Sequence, residues 1–252
     1  MAADLLILGF AAVGGAVALS AVANVLAFVY GHFLRQGHDL KRKFGPWALV
    51  TGATDGIGKA MAFEFARKGL NVVLVSRSKE KLAETEKELR AKYPAAQVET
   101  LDIDFSQFDL SARARVAKMV LGMDVGVLVN NVGISYPYTQ VCGWRAESTH
   151  ACKTRSPFVP RQYFHELDDE RVAQLMSLNV DSTTWMTRTV LPGMLARKRG
   201  AIVNVGSGAG VSVSPLLAQY GAAKSYVSKV RALFVLPHGS AACFPPSLHG
   251  VT

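Results

Sequence analysis

Tyr220 and Lys224 stand four residues apart, so on one helix they share a face. A phenol ionises at about pH 10 and is a poor proton donor or acceptor near neutrality; an ammonium beside it favours the phenolate and eases proton transfer. Such a pair suits reduction of a carbonyl. Ser207 precedes Tyr220 by thirteen residues and follows an apolar run, Ala201 to Val205. At a strand's carboxyl end its hydroxyl can hydrogen-bond the same substrate oxygen. The second chemical signal is Val50-Thr51-Gly52-Ala53-Thr54-Asp55-Gly56-Ile57-Gly58, entered by an apolar run from Trp47 and left by a helical pattern. Gly52 permits a tight turn, Gly56 lets backbone approach a phosphate, and Gly58 lets the new helix pack on the strand. With Thr54, Asp55 and Ile57 they form a cradle in which first-turn N–H groups and the helix dipole hold a dinucleotide pyrophosphate.

The elements that must position these residues alternate. Strands are expected at Trp47–Val50, Asn71–Val75, Val98–Ile103, Val125–Val129 and Ala201–Val205. Helices are expected from Lys59 to Gly69, at Lys79–Tyr93 and at Ser106–Leu121. A long one from Asp168 bends or breaks at Pro192, and another runs from Tyr220 to about Val235. That order implies a doubly wound parallel sheet, the Rossmann arrangement, with ligands at the strands' carboxyl ends. The second strand ends in Ser76-Arg77-Ser78, where a bare ribose would meet an acid. Arg77 there selects the 2′-phosphate of NADP(H) over NAD(H). Asp104, after the third strand, is assigned to the adenine pocket.

Residues 1–35 read as a membrane anchor, 44–235 as the NADP-binding domain and 236–252 as an irregular tail. From Leu5 to Val29 no residue is charged, which gives roughly 37 Å of helix against a hydrocarbon core of about 30 Å. Asp4 in place of a basic start, and the length of the run, favour an uncleaved transmembrane helix over a signal peptide. Arg35, Lys41, Arg42 and Lys43 follow it, placing the rest in the cytosol.

The net charge of +9 is concentrated: residues 141–162 carry +3, and 225–252 add Lys229 and Arg231 with no acid. No basic stripe with interleaved aromatics appears, so nucleic-acid binding is not expected. Cys142, Cys152 and Cys243 lack ligand spacing, and His165 beside Glu166 has no second His at helical spacing. No metal site is expected, and a reducing compartment fits.

Taken together, Thr51-Gly52-x-x-x-Gly56-x-Gly58, Asn130-Asn131-x-Gly133, Asn179, Ser207 and Tyr220-x-x-x-Lys224 closely resemble the short-chain dehydrogenase/reductase family. The resemblance implies that Tyr220 donates the proton, Ser207 polarises the carbonyl and Lys224 binds the nicotinamide ribose. It also implies that Asn179 holds a water next to Lys224, with Asn130, Asn131 and Gly133 lining the cofactor cleft. Thr54–Lys59, Asn130–Tyr138, Leu191–Leu195 and Gly206–Gly210 look like the very-long-chain 3-oxoacyl-CoA reductases, plant members especially. By that likeness the protein sits in the endoplasmic reticulum membrane and reduces 3-oxoacyl-CoA with NADPH during fatty-acid elongation, beside other elongation enzymes. The likeness extends to 17β-hydroxysteroid dehydrogenases, which makes a steroid ketone the alternative substrate. Two departures stand out: 141–162 reads as an insertion, and the family's last strand and substrate cover are expected to be missing, replaced by Leu236–Thr252. Those departures motivate a rival reading, a non-catalytic membrane-anchored variant acting through partners.

Overall fold

A computed structural model describes residues 2–30, 39–135, 164–212, 217–230 and 234–235. The proposed insertion 141–162, Tyr136-Pro137-Tyr138, the three cysteines and the tail 236–252 lie outside the described residues. The chain divides into two compact units, Met1–Asp39 and Leu40–Thr252.

The first unit is one helix, α1 (Ala2–Val29), with every side chain from Val13 to Val29 exposed. Its apolar residues surround the axis, so no face has a core to meet. Among the described residues no helix is long and apolar enough to cross a membrane; side chains in α1 are described only from Val13 onward.

The second unit opens with α2 (Leu40–Phe44) and alternates thereafter: β1 (Trp47–Thr51), α3 (Gly56–Arg67), β2 (Asn71–Ser76), α4 (Lys79–Lys92), β3 (Val98–Asp102), α5 (Leu110–Val120), β4 (Val125–Asn130), α6 (Asp169–Met176), α7 (Ser182–Ala196), β5 (Gly200–Asn204), α8 (Ala218–Lys229) and β6 (Phe234–Val235). The sheet order is β3-β2-β1-β4-β5-β6. The first five strands pair in parallel and β6 runs antiparallel to β5. The sheet buries both faces, as the continuous Val/Leu runs require. Ala48, Val50, Val72, Leu74, Val127 and Val129 join Ala62, Phe65 and Leu89 on one side. Leu49, Val73, Val75, Leu128 and Ile202 join Val116, Met186, Val190 and Met194 on the other. The order reverses between β1 and β4, which opens the crevice where ligands of such sheets bind.

Three expectations are corrected. The helix expected at Ser106–Leu121 begins at Leu110, because Asp104 caps a short turn at Phe105–Gln107 and Asp109 caps α5 through Ala112 N at 2.8 Å. Pro192 does not break its helix: it lies inside α7, where buried Val190 and Met194 anchor the turns on either side. The irregularity falls earlier, in a π-helical turn at Ser177–Asp181. The last helix stops at Lys229 instead of near Val235, and Phe234–Val235 returns as the antiparallel strand.

Candidate active site

The cradle is built by backbone geometry. Gly52 (φ +63°) and Gly56 (φ +51°) adopt left-handed conformations that side chains resist. At Gly56 nothing lies within 4 Å of an added Cβ, whereas at Gly58 a Cβ would collide with the Gly52 carbonyl and the Asn131 amide. Gly56 therefore leaves space beside the helix start, and Gly58 closes α3 onto the strand end. Asp55 caps α3, accepting from Gly56 N at 2.7 Å, and Thr54 Oγ1 meets Ser76 Oγ at 2.9 Å. Open space bordered by first-turn N–H groups fits a dinucleotide phosphate.

Behind the cradle, buried Thr51 acts as a rivet: its hydroxyl donates to Val129 O at 3.1 Å and accepts from the N–H groups of Asn131 and Val132. Asn131 Nδ2 donates to the Thr51 and Gly52 carbonyls, both at 3.2 Å. Asn131 is thus a strap between the ends of β4 and β1. Asp104 is exposed and accepts from Ser106 N and Ser106 Oγ, so its carboxylate caps a turn at the carboxyl end of β3. Arg77 is exposed at the end of β2 and makes no hydrogen bond or ion pair among the described residues.

The candidate reacting groups gather from four segments. Asn179, fully buried in the π-helical turn, donates to Ile134 O at 2.8 Å and Leu175 O at 2.9 Å, and its Oδ1 has no partner among the described residues. Lys224 is 5% exposed and donates from Nζ to Val205 O at 3.2 Å. Burial pushes its ammonium below the ordinary lysine value. A Cβ on Gly133 would lie 2.7 Å from both Asn179 Oδ1 and Lys224 Nζ, so these two groups close around the glycine. Lys224 Nζ lies 5.9 Å from the centroid of the Tyr220 ring. That ring packs on the small cluster of Leu167 and Leu175, with Ile134, Val172 and Leu217. Ser207 starts the turn Gly208–Gly210 and accepts from Ala209 N at 3.3 Å, and among the described residues its hydroxyl proton has no acceptor. Gly210 seats that turn on α8: a Cβ there would come within 2.5 Å of the Lys224 carbonyl carbon.

Residues 46–234 match the family model of short chain dehydrogenases. The chain belongs to that family. It is 41% identical over 227 residues to the very-long-chain 3-oxoacyl-CoA reductase let-767 of Caenorhabditis elegans, covering 87% of this chain and 65% of that protein. It is also 34% identical to the inactive hydroxysteroid dehydrogenase-like protein 1 of Homo sapiens, covering 91% of this chain and 63% of that one. Among solved structures, a short-chain dehydrogenase from Sphingobium yanoikuyae in complex with NADPH superposes with a TM-score of 0.60 at 28% identity, covering 73% of this chain and 63% of that chain. The chain thus spans 54% to 65% of the length of the curated relatives it matches here.

Sequence reasoning singled out these glycines and candidate reacting groups but missed their supports. Val205 contributes only a carbonyl, which no sequence pattern announces. Asn130 is buried and donates to Thr187 Oγ1 at 3.0 Å and Asn204 Oδ1 at 2.9 Å. Asn204 was legible only as a polar residue closing an apolar strand. At the opposite rim, the amino end of β4, a cavity of about 510 Å³ is lined by Val120, Leu121, Asp124, Val190 and Arg197 and contains none of these groups.

Proposed function

We propose that the chain is the catalytic part of an NADPH-dependent reductase that converts very-long-chain 3-oxoacyl-CoA to 3-hydroxyacyl-CoA in fatty-acid elongation. The carrying observation is the closure of Asn179 and Lys224 around Gly133, with Tyr220 beside them, on a sheet whose glycine turn suits a dinucleotide. Bound NADPH supplies hydride to the carbonyl carbon. Tyr220 gives the carbonyl oxygen its proton, and the Ser207 hydroxyl, free to donate, holds that oxygen. Lys224, kept among the Val205 carbonyl and the unpartnered Asn179 Oδ1, keeps a positive charge near the phenol and favours its ionised form. The names of relatives such as let-767 and of NADPH-bound neighbours support the substrate and cofactor. Arg77, exposed and free of partners among the described residues, is positioned to meet a 2′-phosphate. Arg77→Asp should reduce the preference for NADPH over NADH by about tenfold or more, given that a hydrogen bond to a charged group is worth roughly 1.5–3 kcal/mol. Equal affinities in the parent would remove the argument.

We further propose that α1 anchors the protein in the endoplasmic reticulum membrane with the catalytic part in the cytosol, where it meets other elongation enzymes. The uncharged apolar run of the sequence from Leu5 to Val29, followed by Lys41, Arg42 and Lys43, supports this reading. Carbonate washing should leave the protein in the pellet, and removing residues 1–35 should release it.

The central test follows NADPH oxidation with a long-chain 3-oxoacyl-CoA and a 17-ketosteroid side by side. Turnover of the acyl-CoA supports the proposal. Steroid turnover alone would redirect it, and binding of NADPH without turnover of either would support the non-catalytic, partner-binding reading.

A further inference from the structure

We propose that Asn204 is a positioning residue for Lys224, clamping the carboxyl end of α8 to the end of β5. Its Nδ2 donates to Val227 O at 3.4 Å and, more closely, to Val230 O. Its Oδ1 accepts at 2.9 Å from Asn130 Nδ2, which also donates at 3.0 Å to Thr187 Oγ1 on α7. The next residue, Val205, accepts from Lys224 Nζ at 3.2 Å, while its own N–H donates to Asn130 O at 2.9 Å. Helix α8 is therefore tied to the end of β5 at two places: Lys224 to Val205, and the helix end to Asn204.

The physical need is plain. The last carbonyls of a helix have no partner inside it, and the common remedy is a glycine just beyond the end. Here the C-cap is Val230, with φ −73° and ψ 70°, and Arg231-Ala232-Leu233 follow it. The Asn204 amide supplies the donor instead. Lys224 is buried against an ordinary preference for water. Freeing the end of α8 loosens the helix that holds this ammonium against Val205. Asn204→Asp is close to isosteric: it keeps the acceptor for Asn130 but turns the donor toward Val227 and Val230 into oxygen lone pairs facing carbonyls. The consequence for catalysis rests on the reductase reading, whereas the position of Lys224 does not.

The test is trace amine acetylation of the unliganded full chain, read lysine by lysine by mass spectrometry. In the parent, Lys224 should react much more slowly than exposed Lys118. Asn204→Asp should raise the Lys224 rate about tenfold, the scale set by a buried carbonyl losing its donor. Lys59, paired with Glu88 at 2.9 Å, reports on the integrity of the rest and should be unchanged. Asn204→Ser, which keeps a shorter donor, should fall between. A Lys224 rate unaltered in Asn204→Asp overturns the proposal, and so does an equal rise at Lys59 and Lys224 in both variants. In a parent that turns over, Asn204→Asp should lower kcat about tenfold with the acyl-CoA KM little changed, and Asn204→Ser should recover part of it. Unchanged kcat would likewise count against the clamp. A parent without turnover would refute the reductase reading, while the acetylation rates would still decide for or against the clamp.

Discussion

The phosphate cradle is made from the consecutive positions 51–58, whereas Gly133, Asn179, Ser207, Tyr220 and Lys224 arrive from four separate segments. In the cradle the decisive property is backbone: two glycines at positive φ and a third that excludes any side chain. In the reaction cluster it is burial and shared partners: a lysine held by a carbonyl nineteen residues away and an asparagine held by one forty-five residues away. A local device fails when its own backbone is altered. A convergent one fails when any of several distant elements shifts.

The sharpest way to separate the two regions is Tyr220→Phe. Removing the phenol proposed as proton donor should lower kcat by about a thousandfold, within the range for general acid catalysis. NADPH affinity, measured by fluorescence titration, should stay close to the parent's. Undiminished turnover would break the assignment of the cluster.

Gly58→Ala attacks the cradle alone. Its Cβ meets the Asn131 side-chain amide and, closer still, the Gly52 carbonyl, a backbone group that cannot swing away. Overpacking of this kind costs about 3 kcal/mol, so urea melts should shift markedly and NADPH binding should fall with them. A parent-like midpoint would show that the close approach of α3 to β1 is dispensable.

Gly133→Ala is the corresponding change in the cluster, and a milder one, because the atoms it meets are side-chain ends. Displacing Asn179 and Lys224 should reduce kcat about tenfold while the cradle still takes the dinucleotide phosphates, a cost of roughly 1–2 kcal/mol. If NADPH affinity collapsed while kcat held, the two regions would be coupled more tightly than their construction suggests.

The smallest effect concerns stability. Burial holds the Lys224 pKa in the folded chain below the ordinary 10.5. Keeping that ammonium buried therefore costs stability at neutral pH, and the cost disappears as pH rises through the folded-state value to 10.5. Lys224→Met should raise the thermal midpoint of the unliganded chain at neutral pH, by about 2–4 °C for each kcal/mol recovered. The gain should shrink as pH approaches 10.5. A midpoint lowered at all pH values would mean that the bond to Val205 outweighs the desolvation of the charge.

These contrasts also mark what could be read without coordinates. The alternation of strand and helix was legible because β1, β2 and β4 are short apolar runs bounded by helical patterns, and buried parallel strands require such runs. The cradle was legible because its three glycines are neighbours. Tyr220 and Lys224 were legible because one helical turn brings them to a common face. Boundaries were less so: Asp109 outcompeted the apolar pattern that extended α5 backward, and Asn204 ends α8 before the apolar residues that follow.

The sequence alone thus determined the fold class and the glycine turn and singled out Tyr220 and Lys224 as candidate reacting side chains, since each depends on spacing within a few residues. Only the tertiary structure decided that Gly133 is where Asn179 and Lys224 meet, that Asn131 straps the ends of β4 and β1 together, and that Val205 and Asn204 hold α8 in place. Those relations join positions far apart in the chain, through carbonyls that every residue carries. They come into being when β1, β4 and β5 line up in one sheet and bring their carboxyl ends together.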